Sequence, residues 1–362
     1  MNCLIIGGGV IGLLTARELV DAGATVTVLE RGEPGGEASW AGGGMLSPSY
    51  PWQMPASVTA LARFGQARYS DLAQQLLEET GIDAEWTQSG LLCLDSAQQA
   101  EALAWAESTQ SAVQVLGKLA LKMREPAVSD AADAALWLPD VAQIRNPRLL
   151  RALLQSLMQR RVRILKHCEV QELRFEQSQI TGVESTRGHV AADTVIVAGG
   201  AWSGQLLAGL GLKIEITPVR GQMVLWRTKP GLVKRIIVQD EHYLIPRRDG
   251  LVLAGSTVEH VGFDKSITPG ALAELKTAAL SMVPALVYAK IEQQWAGLRP
   301  GSPQGVPYIG AHPEIKGLYV NSGHFRNGLV LAPGSARLMA DLVLGRTPVI
   351  DPAPYALQLA YG

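Results

Sequence analysis

Two styles of hydrophobic patterning alternate along the chain. The first style opens it. Asn2 to Ile6 is a short apolar run, followed by a glycine cluster and a helical pattern from about Val10 to Ala22. Thr25 to Glu30 then reads as a second strand, and Gly23 sits where a helix C-terminal glycine belongs. This is a βαβ unit, which implies parallel strands and a right-handed crossover. A loop rich in small residues, Gly35 to Gly44, comes next, and the pattern predicts a helix over Ala67 to Glu79 and a strand over Leu91 to Leu94. Asn146 and Pro147 form an N-cap and first-turn pair for a helix running to about Arg160.

Thr194 to Ala198 (TVIVA) is a continuous run ending in Gly199-Gly200, as expected of a central parallel strand buried on both faces. Between about Val219 and Arg299 the second style takes over. Strands are longer and hairpin signals appear, such as Arg248-Asp249-Gly250 between HYLIP and LVLAG, with one helix from Pro269 to Met282. The first style returns with a strand from Leu318 to Asn321, a glycine-rich turn, and a helix from Gly328 to about Leu344. The expected fold is α/β: a Rossmann-like nucleotide-binding domain (1–80, 142–215 and 305–362) with an inserted, mostly antiparallel α+β domain (81–141 and 216–304).

Composition narrows the function classes. The 362 residues are 47% apolar and 18% charged with a formal net charge of −1, so there is no basic footprint for nucleic acid or an anionic membrane. No stretch reaches the roughly 18 uninterrupted apolar residues a membrane helix needs. The apolar start lacks a basic lead and is broken by glycines, which argues against a signal peptide. The three cysteines form no CxxC pair, compatible with a reducing cytoplasm and unlike a zinc site or disulfide framework. The expectation is a cytoplasmic protein without a metal.

Gly7, Gly9 and Gly12 satisfy GxGxxG directly after the first strand. In that setting Gly7 allows the tight turn, Gly9 lets the backbone approach a pyrophosphate, and Gly12 lets helix and strand pack closely. Val10 and Ile11 open the helix, whose positive end faces the phosphates. Glu30 closes the second strand, where a carboxylate can accept both hydroxyls of an adenosine ribose and repel a 2′-phosphate. Arg31 beside it could instead hold such a phosphate; the favoured reading is a surface residue lying over the adenine. This fingerprint alone does not separate NAD from FAD.

The C-terminal strings separate them. Gly323-His324-Phe325-Arg326-Asn327-Gly328-Leu329-Val330 resembles the flavin-contacting end of the D-amino-acid oxidase and sarcosine oxidase superfamily. Together with Trp295 to Gly301 (WAGLRPG), Pro307 to Gly310 and HYLIPR at 242–247, the chain is most similar to the bacterial glycine oxidases of thiamine biosynthesis. The resemblance covers essentially the whole chain. It implies FAD, with His324 to Val330 lining the flavin, Gly43, Gly44 and Met45 at the isoalloxazine, Ala38 and Ser39 at the pyrophosphate, and Val170 at the adenine. It also implies that Arg299 binds the substrate carboxylate, that Tyr243 reaches the same carboxylate, and that Arg326 is a second arginine near the flavin edge. His324 takes a structural part rather than that of a base.

Some relatives attach FAD through a cysteine between Arg299 and Tyr308 or a histidine in the early loop. This chain has neither, so non-covalent FAD is expected. The implied partners are a small amino acid and dioxygen, and the implied assembly is a homo-oligomer, often a tetramer in the family. Two further readings compete: a D-amino-acid dehydrogenase with a quinone acceptor, and a non-catalytic flavin-binding module, the latter favoured if Arg299 and Tyr243 faced solvent. One departure concerns specificity. Where relatives are expected to carry a methionine after the G-x-T of residues 255–257, this chain has Val258, which would enlarge the substrate pocket.

Overall fold

The computed structural model describes residues 1–360, so the last two positions of the expected 305–362 segment lie outside the described residues. A six-stranded sheet runs in the order Tyr308–Ala311, Leu318–Ser322, Thr194–Val197, Asn2–Ile6, Thr25–Leu29, Arg163–Leu165. All its pairings are parallel except that of Tyr308–Ala311 with Leu318–Ser322. Thr194–Val197 is buried along its whole length and sits between the first strand and Leu318–Ser322, the place its unbroken apolar run foretells.

Helices Val10–Asp21, Ala56–Thr80, Asn146–Gln159 and Gly328–Val343 share one hydrophobic core with strands of this sheet. Gly12 is where the first helix comes closest to the sheet's own strand-to-helix turn, since a Cβ there would collide with the Gly7 carbonyl. The second helix starts at Ala56, well before the expected Ala67. Its core stripe (Val58, Leu61, Ala62, Tyr69, Ala73, Leu76) keeps helical spacing throughout. Gly65 interrupts the pattern because a Cβ there would strike the Val330 carbonyl, so the glycine permits a close helix–helix approach. An ion-pair network ties three of these helices together. Arg17 donates to both carboxylate oxygens of Glu79 at 2.7 and 2.8 Å, and Arg160 does the same at 2.9 Å to each. These contacts hold the Glu79 carboxyl far below the usual carboxylate range.

The second sheet has eight strands in the order Lys290–Gly301, Thr217–Arg227, Leu251–Gly255, His242–Pro246, Ile236–Gln239, Leu91–Cys93, Ala134–Leu138, Gln114–Gly117. It is antiparallel except where Ile236–Gln239 meets Leu91–Cys93. Helix Pro269–Met282 covers one face, with Leu275, Ala279 and Met282 in a core shared with Val224, Trp226 and Leu244. A third sheet, Val170–Glu176, Gln179–Ser185 and Gly188–Ala191, has no counterpart in the sequence reading. Its first strand buries only Leu173, so no period-two apolar signal exists to find. Among the described residues no helix is long and apolar enough to cross a membrane.

Asn146 departs from its expected part as a helix cap. The residue before the helix is Arg145, and the Asn146 amide donates to the backbone carbonyls of Ser39 at 2.8 Å and Gly42 at 3.0 Å. The side chain is spent on the small-residue loop, and that loop leads directly to the site.

Candidate active site

The two large sheets meet at a cavity of about 860 Å³. One end is built from the first βαβ unit. Gly7, Gly9, Val10 and Ile11 face it, as do Glu30 and Arg31 from the end of the second strand. Glu30 is buried, and backbone amides orient its carboxylate: Gly8 N–H donates to Oε2 and Gly32 N–H to Oε1, each at 2.8 Å. Each oxygen accepts one of these bonds and keeps a further lone pair with which a carboxylate can accept from a ribose hydroxyl. Gly12 lies outside the cavity lining and acts through the close packing of helix on strand expected of it.

Arg31 lines the same end, its guanidinium 3.4 Å over the Trp202 ring and donating to Glu37 at 3.2 Å. A cation engaged in this way is a poor partner for a 2′-phosphate. Val170 lines the same end, brought there because Cys168 N–H donates to the Glu30 carbonyl at 2.8 Å.

The middle of the cavity is walled by the small-residue loop. Ala38 and Ser39 open a short helix, and the Val10 N–H donates to Ser39 Oγ at 2.9 Å. Gly43, Gly44 and Met45 follow along the wall. Gly44 has φ +82°, and a side chain there would collide with the Ile144 carbonyl. Arg247 holds this bend from the antiparallel sheet, donating to the Gly43 carbonyl at 2.6 Å, Gln143 at 2.8 Å and the Ile144 carbonyl at 3.1 Å. Burial pulls this guanidinium down to about 10. Nothing in the sequence marks Arg247 as a loop clamp, because its partners are backbone oxygens 103 and 204 positions away.

The opposite wall is the C-terminal string. Gly323 (φ +85°) and Phe325 (φ +45°) turn the chain from the strand into helix Gly328–Val343, and His324 to Val330 all line the cavity. The start of that helix directs a positive dipole end inward. His324 is buried and shares a 2.9 Å hydrogen bond with Ser335 Oγ. Burial pushes its pKa down to about 3, so the ring stays neutral and is too weak a base to take a substrate proton, in keeping with the structural part expected for it.

At the far end, the antiparallel sheet presents Arg299, Tyr243 and Met223 to the cavity, beside Arg326. Register explains their grouping. Tyr243 pairs with Gly255, and Gly255 with Met223, so the three lie in a row across adjacent strands. Gly255 leaves space there for the Tyr243 ring and Met223 sulfur, and Tyr243 O–H donates to that sulfur at 3.5 Å. Arg299 donates to the Thr257 carbonyl at 3.0 Å and Ser256 Oγ at 2.6 Å. Among the described residues no carboxylate pairs with it, and burial pulls its guanidinium down from its ordinary value, with Arg326 adding to the effect. Arg326 by contrast is ion-paired with Glu241. Arg299 is thus a desolvated cation facing a cavity with neutral partners only, an arrangement that favours an anionic ligand.

Several cavity residues escaped the sequence reading: Tyr50 and Met54 from the segment after the glycine loop, Trp202, Gly221, Glu241 and Ser256. Ser256 lay within the G-x-T string of residues 255–257, and Gly221 is a glycine inside a strand pattern, a known sign of close approach. The others carry no local signal. Val258 corrects an expectation outright. It is 44% exposed and outside the cavity lining, so its size does not set the pocket. Arg299 and Tyr243 both face the cavity, the opposite of what a non-catalytic module was expected to show.

The chain was compared with known proteins on this basis. A family model described as FAD dependent oxidoreductase matches residues 2–342. A glycine oxidase from Pseudomonas aeruginosa is 47% identical over 98% of this chain and 97% of its own length. A bifunctional protein ThiO/ThiG from Synechocystis is 33% identical over 95% of this chain and 51% of its own length. The crystal structure of glycine oxidase from Geobacillus kaustophilus superposes with a TM-score of 0.95 at 31% identity, covering 99% of each chain. The cradle of backbone amides, glycines and Glu30 fits the dinucleotide such a cofactor carries, and the chain belongs to the FAD-dependent oxidoreductase family.

Proposed function

We propose that this enzyme is a flavoprotein oxidase that deaminates glycine and other small amines or D-amino acids, among them sarcosine, D-alanine and D-proline. With glycine, dioxygen and water the balanced products are glyoxylate, ammonia and hydrogen peroxide. The observation that carries the reading is the Arg299 guanidinium, lying without a carboxylate partner at the end of a cavity whose other end is a dinucleotide cradle. The names of its relatives support glycine as the leading substrate.

In this reading the segments 1–80, 142–215 and 305–362 hold the cofactor, and 81–141 and 216–304 form the substrate end. When bound, non-covalent FAD supplies the acceptor for the hydride leaving the substrate α-carbon. The three cysteines are buried and free, and the one that lines the cavity, Cys168, stands next to Val170 at the Glu30 end, away from Arg299.

The chain's own residues then do the rest. Arg299 makes a charge-assisted fork to the α-carboxylate, which fixes the substrate's orientation at that end of the cavity. Tyr243 adds its hydroxyl to the same carboxylate. No side-chain base is required, because the amine binds neutral or gives its proton to solvent on entry, and its lone pair assists hydride departure. The imine that results is hydrolysed, or is passed on to thiazole assembly in thiamine synthesis. The fusion named ThiO/ThiG, aligned over half its length, is consistent with that pathway.

Peroxide release in air with glycine, sarcosine, D-alanine and D-proline tests the function. Turnover with peroxide supports an oxidase. Reduction of the flavin without peroxide would replace dioxygen by a quinone-type acceptor.

A further inference from the structure

The substrate end carries two guanidiniums and one carboxylate that face the same cavity: Arg299, Arg326 and Glu241. Their pairing is unequal. Arg299 is held by a hydroxyl and a carbonyl, both neutral. Arg326 forms an ion pair with Glu241, which leaves one uncompensated positive charge at this end of the site. One positive charge matches one substrate carboxylate.

The Glu241 side chain is half exposed, but the backbone that carries it is fixed. Asp240 and Glu241 form the two-residue turn between strands Ile236–Gln239 and His242–Pro246, and both have positive φ, 47° and 67°. Neither is a glycine, so the left-handed conformation is disfavoured locally and must be held by its surroundings. Three contacts hold it. Asp240 N–H donates to Asp95 at 3.2 Å, Glu241 N–H donates to Tyr50 Oη at 3.1 Å, and Tyr50 O–H donates to the same Asp95 carboxylate at 2.5 Å. Tyr50 itself lines the cavity. The turn is therefore braced from the segment after the glycine loop, and its carboxylate is presented to Arg326.

We propose that Glu241 is a specificity-determining residue. By occupying Arg326 it confines carboxylate recognition to Arg299, and by its own charge it repels a second carboxylate, so the site selects amines bearing a single acid group. This inference rests on the reading of Arg299 as the carboxylate anchor. Removing the Glu241 charge would leave two guanidiniums facing the cavity, the complement of a dicarboxylate.

The test uses the FAD-loaded full chain, titrated at fixed ionic strength with acetate and with malonate while the visible flavin spectrum is followed. Wild type is expected to bind malonate no more tightly than acetate. Glu241→Gln, which keeps the size of the side chain, should raise the malonate-to-acetate affinity ratio about tenfold, as the loss of one repulsive charge a few ångströms away permits. Adding Arg326→Gln should abolish that gain. Turnover should move the same way, with iminodiacetate gaining on sarcosine in Glu241→Gln. An unchanged ratio in Glu241→Gln, or a gain that survives loss of Arg326, overturns the proposal. If neither anion perturbs wild-type flavin, the carboxylate-anchor reading itself fails and this inference falls with it.

Discussion

The guanidinium of Arg299 occupies the space that a side chain at Gly221 would need. A Cβ at Gly221 would collide with both terminal nitrogens of Arg299, which reaches over from the neighbouring strand, where its register partner is Val219. The glycine is thus a mould for the arginine rather than a flexible joint. Gly221→Ala should leave FAD bound and displace the fork, raising the amino-acid requirement on the order of 100-fold, since a charge-assisted bidentate contact contributes about 3 kcal/mol. Arg299→Ala should give a loss of at least that size with FAD retained. Steady-state kinetics on the yellow proteins checks both, and near-normal KM in either would remove Arg299 from its assigned part.

Gly9 should control cofactor retention in a different way. Its nearest neighbour is Ser39 Oγ, so a Cβ is tolerated by the protein, but a branched side chain would fill the approach to the pyrophosphate. Gly9→Val is expected to give folded, colourless protein. Full flavin occupancy in that variant would show that the fingerprint holds something else.

His324 gives stability a definite dependence on pH. Its folded pKa of about 3 lies below the ordinary histidine value, and burial is the cause. The unfolded chain takes up a proton as pH falls through about 6.5 while the folded chain does not, so stability is lost as pH falls from there toward 3. The largest loss from this one group is about 5 kcal/mol. Thermal melts of wild type and His324→Asn between pH 4 and pH 7 should therefore converge as the pH drops; parallel curves would show that the ring protonates in place.

Glu79 should be the costliest charged residue to remove outside the site. Arg17, only 8% exposed, and Arg160 both fork onto it. Glu79→Ala strands Arg17 between the helices, while Arg160 keeps Asp21, and is expected to cost about 3 kcal/mol, with a lowered melting temperature and unchanged KM. A melting temperature within a degree or two of wild type would place the network among surface pairs of little weight.

How much of this was legible in the sequence depended on whether the cause was local. Thr194 to Ala198 announced a central strand because burial on both faces leaves an unbroken apolar run. Helix Pro269–Met282 was readable from about the right start, since a proline opens it; the Thr268 cap that fixes that start is seen in the structure. The glycine fingerprint, Glu30 and the GHFRNG string were legible as motifs, and the fold brings all but Gly12 and Gly323 to one cavity. Asn146 was misread because an asparagine before a proline looks like a cap, whereas its amide is drawn off by the Ser39 and Gly42 carbonyls more than a hundred positions earlier. Val258 was misread because a string alignment says which residue follows Thr257 but not which way it faces. Arg247, Tyr50 and Glu241 act through contacts between distant segments, and no periodicity or spacing encodes such contacts.

The most direct test of the account is to mix the purified yellow protein with glycine in the absence of oxygen and then admit air. Glycine is expected to bleach the flavin and air to restore it, with one peroxide and one glyoxylate formed per turnover and Arg299→Ala failing at the first step. A flavin that stays oxidised in the presence of glycine, sarcosine, D-alanine and D-proline alike would contradict it.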